Sequence, residues 1–151
     1  METSIFLKTD RLLIEPLTVD DSNFILELVN TENWIRFIGN RNVTSIAEST
    51  NYIQKIIDNP NTTYWVVKQK DNQKPIGIIT LIKREYLEHH DIGFAFLPDS
   101  ANNGYAYEAT SNILKAIIHN LNLTDILAAT VPENISSIKL LKKIGLFFDK
   151  K

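Results

Sequence analysis

Asp91-Ile92-Gly93-Phe94-Ala95-Phe96-Leu97-Pro98-Asp99-Ser100-Ala101-Asn102-Asn103-Gly104-Tyr105-Ala106-Tyr107-Glu108-Ala109 is the stretch on which the fold turns. Its first part is rich in strand formers and begins at about His89. Pro98 ends it, because the residue before a proline is held extended. A polar loop over 99–103 follows. From Gly104 to about Asn120 the apolar positions Ala106, Ala109, Ile113, Ala116 and Ile117 recur at three- and four-residue steps, which predicts a helix with one buried face. The unpaired amides at such a helix start, with the positive end of its dipole, suit an anion, and the minimal side chains of Gly104 and Ala106 would let phosphate approach the backbone. Taken alone, Asn102-Asn103-Gly104 reads more readily as a turn and cap.

Upstream, Leu12-Leu13-Ile14-Glu15-Pro16-Leu17 reads as a short strand, and Thr18-Val19-Asp20-Asp21 as a box-like helix start leading to a helix through about Val29. Ile46, Ser49, Tyr52, Ile53, Ile56 and Ile57 fall at helical spacing, and Asn59-Pro60-Asn61 stops that second helix. Tyr64-Trp65-Val66-Val67 and Ile76 to Lys83 read as strands that make a hairpin around Asp71-Asn72-Gln73-Lys74-Pro75. Downstream come a strand at Ile126 to Val131, a helix capped by Asn134 and carrying Ile138, Leu141 and Ile144, and a strand opening at Leu146-Phe147-Phe148. Antiparallel strands followed by strand-helix-strand crossovers predict an α/β (α+β) architecture, a mixed and mostly antiparallel sheet with helices on both faces.

The chain has 151 residues, enough to bury roughly 70% of its unfolded surface in one core, so a single domain over 1–151 is expected. Sixteen basic against eighteen acidic side chains give a net charge of −2 and no field for a phosphate polymer, so nucleic acid is not an expected partner. No apolar run approaches the roughly 20 residues that span a bilayer, and Met1-Glu2-Thr3-Ser4 lacks the features of an export signal, so a cytoplasmic protein with no membrane partner is expected. Cys is absent, which removes disulfides, thiolate metal sites and a Cys nucleophile. His89-His90 point to opposite strand faces with no third ligand apparent, so no metal is expected.

A second segment, Thr130-Val131-Pro132-Glu133-Asn134-Ile135-Ser136-Ser137-Ile138-Lys139-Leu140-Leu141-Lys142-Lys143-Ile144-Gly145-Leu146, combines with Asp91 to Pro98 and Gly104 to Ala109 in a pattern that closely resembles the GNAT superfamily of acyl-CoA-dependent N-acyltransferases. Thr9-Asp10-Arg11-Leu12-Leu13-Ile14-Glu15-Pro16-Leu17 and Trp34-Ile35-Arg36-Phe37-Ile38-Gly39 resemble the branch that contains the ribosomal-protein N-terminal acetyltransferases, so the resemblance covers essentially the whole chain. It implies an enzyme that moves an acetyl group from acetyl-CoA to a primary amine by direct attack in a ternary complex. The amine would be a small molecule or a peptide. The cofactor contacts implied are Phe94, Ala95, Phe96 and Leu97 on a strand that splays from its neighbour, Asn102, Asn103, Gly104, Tyr105 and Ala106 at the diphosphate loop, and Asn134 and Ser137 beyond the next strand. Ser137 is implied as the proton donor to the departing thiolate. A carboxylate or His must take the amine's proton; Glu85, Glu88, His89, His90 and Asp91 are candidates, with Glu85 ranked first and a solvated hairpin charge as its plainer meaning.

Two departures qualify the resemblance. Ala101, Asn102 and Asn103 stand where the family's loop carries Gln, Arg or Trp, a further Gly and a basic residue. The sequence also stops at Lys151, where relatives continue into one more strand, so the final strand is expected to be missing. An open edge there implies a homodimer partner that covers it, or a shortened domain. The alternative activity is thus an acyl-CoA-binding module of the same fold with weakened catalysis.

Overall fold

The computed structural model describes residues 5–83, 90–100, 103–121, 126–127 and 139. Thr18 opens the first helical segment as the sequence suggests. Its hydroxyl and the Asp21 carboxylate cap each other's backbone, with the Thr18 amide donating to Asp21 Oδ2 at 3.0 Å. The box starts a 3-10 turn over Val19–Asp21, which runs into α1, Ser22–Val29. A short helix that periodicity did not reveal, α2 at Glu32–Phe37, is started by the Thr31 hydroxyl accepting from the Trp34 amide. α3 spans Ile46–Asp58. Of its six periodic positions Ser49 and Ile53 are fully buried, whereas Ile46 and Ile57 are exposed, because they sit at the two ends of the helix, beyond the sheet's cover.

The strands are β1 Leu7–Lys8, β2 Leu12–Pro16, β3 Thr62–Gln69, β4 Pro75–Lys83, β5 His90–Phe96 and β6 Ile126–Leu127, in the spatial order β1-β2-β3-β4-β5-β6. The first five are mutually antiparallel. β6 returns parallel to β5 after α4, Tyr105–Leu121, which serves as the crossover. The hairpin between β3 and β4 turns through Gln73, at φ +57°. The predicted last helix and last strand fall outside the described residues, apart from Lys139, which is helical.

Strand alternation sends the apolar side chains to two cores. Trp65, Val67, Ile79, Leu81 and Ile92 face α4 and meet Ala109, Ile113 and Ile117. Val66, Ile78 and Leu97 face the other way and meet Phe24, Ile25 and Leu28 of α1, Trp34 of α2 and Ile53 of α3. Helices therefore cover both faces of the sheet. Each fully buried Ile or Leu contributes about 1.5–3 kcal/mol relative to exposure, and this double burial is concentrated on β3 and β4.

Candidate active site

One end of the sheet gathers the β1–β2 turn, the β3–β4 turn, the end of β5 and the start of α4. The Lys70 amide donates to the Arg11 carbonyl at 2.8 Å and Gln69 Nε2 to the Tyr105 hydroxyl at 3.5 Å, joining the first two to the last. Within β5, the register decides which backbone groups face the outer edge. The Leu97 amide donates to the Ile76 carbonyl at 2.8 Å, which makes Phe96 and Gly77 a pair without mutual hydrogen bonds. Alternation then turns the backbone N–H and C=O of Phe96 and Phe94 away from β4, and ties Ala95 to Ile78. Pairing with β6 is described at His90 with Ile126 and Asp91 with Leu127. The residues that would continue β6 lie outside the described set. Leu97 is buried in the core, its amide taken by Ile76 and its carbonyl accepting from Ser100.

The two glycines of β4 and β5 are packing devices. A Cβ at Gly77 would lie 2.3 Å from the Phe96 ring, so its absence seats that ring across β4. A Cβ at Gly93 would meet the Thr80 hydroxyl at 2.7 Å. The space beside Gly93 is occupied by Thr80.

α4 begins at Gly104, whose φ of +75° is the left-handed conformation that suits glycine. Its carbonyl accepts the first helical bond, from the Glu108 amide at 3.0 Å. The α2 and α3 starts are closed by the hydroxyls of Thr31 and Ser45, and the turn before α1 by that of Thr18. Gly104 has no side chain to do the same. Beside it stands a cluster that joins the β1–β2 turn to the first turn of α4. Glu108 accepts from the Thr9 hydroxyl, the Arg11 amide at 2.9 Å and Arg11 Nε at 2.7 Å. Arg11 Nη1 donates to the Asn103 carbonyl at 2.8 Å, and the guanidinium lies over the Tyr105 ring, 4.4 Å from its centroid. Burial alone would push the Glu108 carboxyl up. The bonds from Thr9 and Arg11, with the guanidinium's charge, outweigh it and hold the carboxyl below its ordinary value.

Among the residues singled out in the sequence, Asn103 and Gly104 are exposed at this helix start and Tyr105 and Ala106 are half-buried in its first turn. Phe94 and Phe96 pack on the α4 side, and Ala95 packs on the other with Leu97 and Trp34. His90 is buried, and its imidazole is held below its ordinary pKa first by burial and then by Lys83. Glu85, Glu88, His89, Asn102, Asn134 and Ser137 lie outside the described residues. Sequence reasoning missed the pairing of Arg11 with Glu108. The one local sign was an acid four residues past the glycine, where a helix's first turn can use it.

The model of the acetyltransferase (GNAT) domain matches residues 11–146. The chain belongs to the GNAT acetyltransferase family. The chain is 31% identical over 148 residues to the uncharacterized N-acetyltransferase YnaD of Bacillus subtilis, covering 95% of this chain and 86% of that protein. The ribosomal-protein-S5-alanine acetyltransferase from Vibrio fischeri has the same fold, at a TM-score of 0.82 and 18% identity, with 95% of this chain and 83% of that chain covered. So has spermidine N-acetyltransferase from Vibrio cholerae, solved in complex with CoA and spermine, at a TM-score of 0.80 and 22% identity, with 93% of this chain and 83% of that chain covered. In this GNAT domain the helix start at Gly104 and the outer edge of β5 stand at the same end of the sheet. No helix among the described residues is long and apolar enough to cross a membrane.

Proposed function

We propose that this GNAT domain transfers the acetyl group of acetyl-CoA to a primary amine by direct attack in a ternary complex. The observation that carries the reading is the α4 start. Gly104, which has no side chain and sits at φ +75°, opens the helix at the end of a strand whose Phe94 and Phe96 backbone groups face away from β4. Amides there suit the diphosphate of CoA: the helix start offers N–H donors and the positive dipole end, and Gly104 adds no side chain of its own. The pantetheine arm would pair along Phe94 and Phe96, with Ala95 supplying only a small side chain. Asn103, Tyr105 and Ala106 border the diphosphate, and Asn102 and Asn134 are assigned to the same cofactor on the strength of family membership.

Chemically, the amine nitrogen attacks the thioester carbonyl carbon as it loses a proton, an outward N–H of β5 donates a hydrogen bond to the oxygen as negative charge grows on it, and the C–S bond then breaks. Glu85 is the proposed proton acceptor, directly or through water. Ser137 is the proposed donor to the leaving thiolate. A free amine and a thioester become an amide and a thiol, with no acyl-enzyme. The acceptor class is common to the two named neighbours, since spermidine and an N-terminal alanine both present a primary amine.

Release of free thiol from acetyl-CoA, followed across a panel of polyamines and N-terminal peptides, tests the proposal. Amine-dependent thiol release on at least one acceptor is expected, and Ser137→Ala should lower kcat more than it raises KM for acetyl-CoA. CoA binding without amine-dependent thiol release on any acceptor would instead identify a binding module that has lost the transfer step.

A further inference from the structure

Resting on that reading, we propose that Arg11 is a positioning residue for the acetyl-CoA diphosphate, acting through the Asn103–Gly104 peptide rather than by touching the ligand. The carbonyl of Asn103 and the amide of Gly104 belong to one planar trans peptide and point in opposite directions. Arg11 Nη1 holds that carbonyl at 2.8 Å, so the Gly104 N–H is turned away from Arg11, out from the helix start. Three contacts prevent the guanidinium from drifting. Nε is bound to Glu108 Oε1 at 2.7 Å, the Arg11 amide to Glu108 Oε2 at 2.9 Å, and the plane rests on Tyr105. The turn that carries Arg11 is itself tied to the strand beside it, Lys70 Nζ donating to the Thr9 carbonyl at 2.9 Å and the Lys70 amide to the Arg11 carbonyl at 2.8 Å. With its charge already matched by Glu108, the guanidinium has little net pull of its own on an anion. What it supplies is orientation.

A purely structural role predicts something different. The Arg11 side chain is 46% exposed and that of Glu108 16%, and the Glu108 carboxylate keeps its bonds from the Thr9 hydroxyl and the Arg11 amide when the guanidinium is gone, so the pair itself contributes on the order of 1 kcal/mol. Loss of the side chain should therefore leave the fold nearly intact while freeing the peptide to rotate. The experiment is calorimetric titration of the full chain with CoA, beside thermal unfolding without ligand, for the wild type, Arg11→Lys, Arg11→Ala and the double variant Arg11→Ala/Glu108→Ala. Lysine keeps the charge and loses the fork that grips Glu108 and Asn103 together. The double variant keeps the net charge and loses the orientation. The expected result is a Kd for CoA raised on the order of tenfold in all three, the loss typical of one charge-assisted hydrogen bond. Tm without ligand should stay within about 4 °C of the wild type in the single variants. In turnover, KM for acetyl-CoA should rise while kcat at saturation and KM for the amine hold. A wild-type Kd in Arg11→Ala, or its recovery in the double variant, overturns the proposal, the second result by making charge alone the cause. Arg11→Lys decides the matter should the alanine variants fail to fold. A wild-type chain that does not bind CoA brings down the proposed function as well, and is told apart because only then is the parent titration flat.

Discussion

α3 and α4 both place a glutamate in their first turn, and the two acids are held in opposite ways. Glu48 is bound by its immediate neighbours. Its carboxylate accepts from the Thr44 amide at 3.0 Å, the Thr44 hydroxyl at 2.7 Å and the Ser45 hydroxyl at 3.3 Å, while the Ser45 hydroxyl accepts from the Glu48 amide. Glu108 reaches across the chain to Thr9 and Arg11, 97 to 99 residues away. The first arrangement closes a helix on itself. The second fastens the start of α4 to a turn far away in the sequence. α3 is finished by local side chains; α4, whose amides are proposed to serve a ligand, is braced from outside.

The largest effect expected from breaking this contrast is at Gly104. Gly104→Val puts a β-branched side chain at a φ of +75°, costing about 1–2 kcal/mol of stability, with its Cβ 3.4 Å from Arg11 Nη2, crowding the guanidinium that holds the Asn103 carbonyl. Calorimetry should show CoA binding lost, beyond what the drop in Tm explains. Ser45→Ala is the matched change at α3. Loss of that cap should destabilise the fold by about 1 kcal/mol in denaturant titration and leave CoA affinity unchanged. If Gly104→Val bound CoA normally, or Ser45→Ala weakened it, the two helix starts would not differ in the way described.

A smaller effect is expected with pH. Glu108 is held below its ordinary pKa of 4.5, burial working against the bonds from Thr9 and Arg11 that prevail. The unfolded chain therefore binds this proton more readily than the folded one. The stability contributed by Glu108 is fully present above about pH 5 and is lost as pH falls through the lowered folded value. Glu48, lowered by Thr44, loses its contribution in the same direction. Replacing Glu108 with Gln should flatten the acid limb of a stability-pH curve by an amount that Thr9→Ala reduces in advance, because the two act on one carboxylate. Additive effects would show that the Thr9 bond is not part of that shift.

These two helix starts also mark what could be read from sequence. The β5-loop-α4 passage was legible because each signal in it is local: strand formers, a proline stop, a glycine and a three-four apolar repeat. The Thr18 box and the β3–β4 hairpin were legible for the same reason. α2 was not, since its six residues are too few to show a period, although Thr31 with Glu32 behind it is a cap that could have announced it. β1, two residues long, has no pattern at all. The outward direction of Phe94 and Phe96 depends on the register with β4, and the partner of Glu108 on a turn at the far end of the chain. Neither leaves a trace in neighbouring residues. The assignment of Gly93 needed Thr80, which only the sheet brings beside it.

The Gly104 start of α4 and the side of β5 that faces away from β4 are proposed to take up a CoA ester together. Thermal unfolding of the unmodified chain across rising acetyl-CoA concentration tests that uptake most directly. A ligand that favours the native state stabilises it by RT ln(1 + [L]/Kd), about 2.7 kcal/mol at a hundredfold excess over Kd, so Tm should climb with the logarithm of concentration. A Tm that stays flat into the millimolar range would contradict the account.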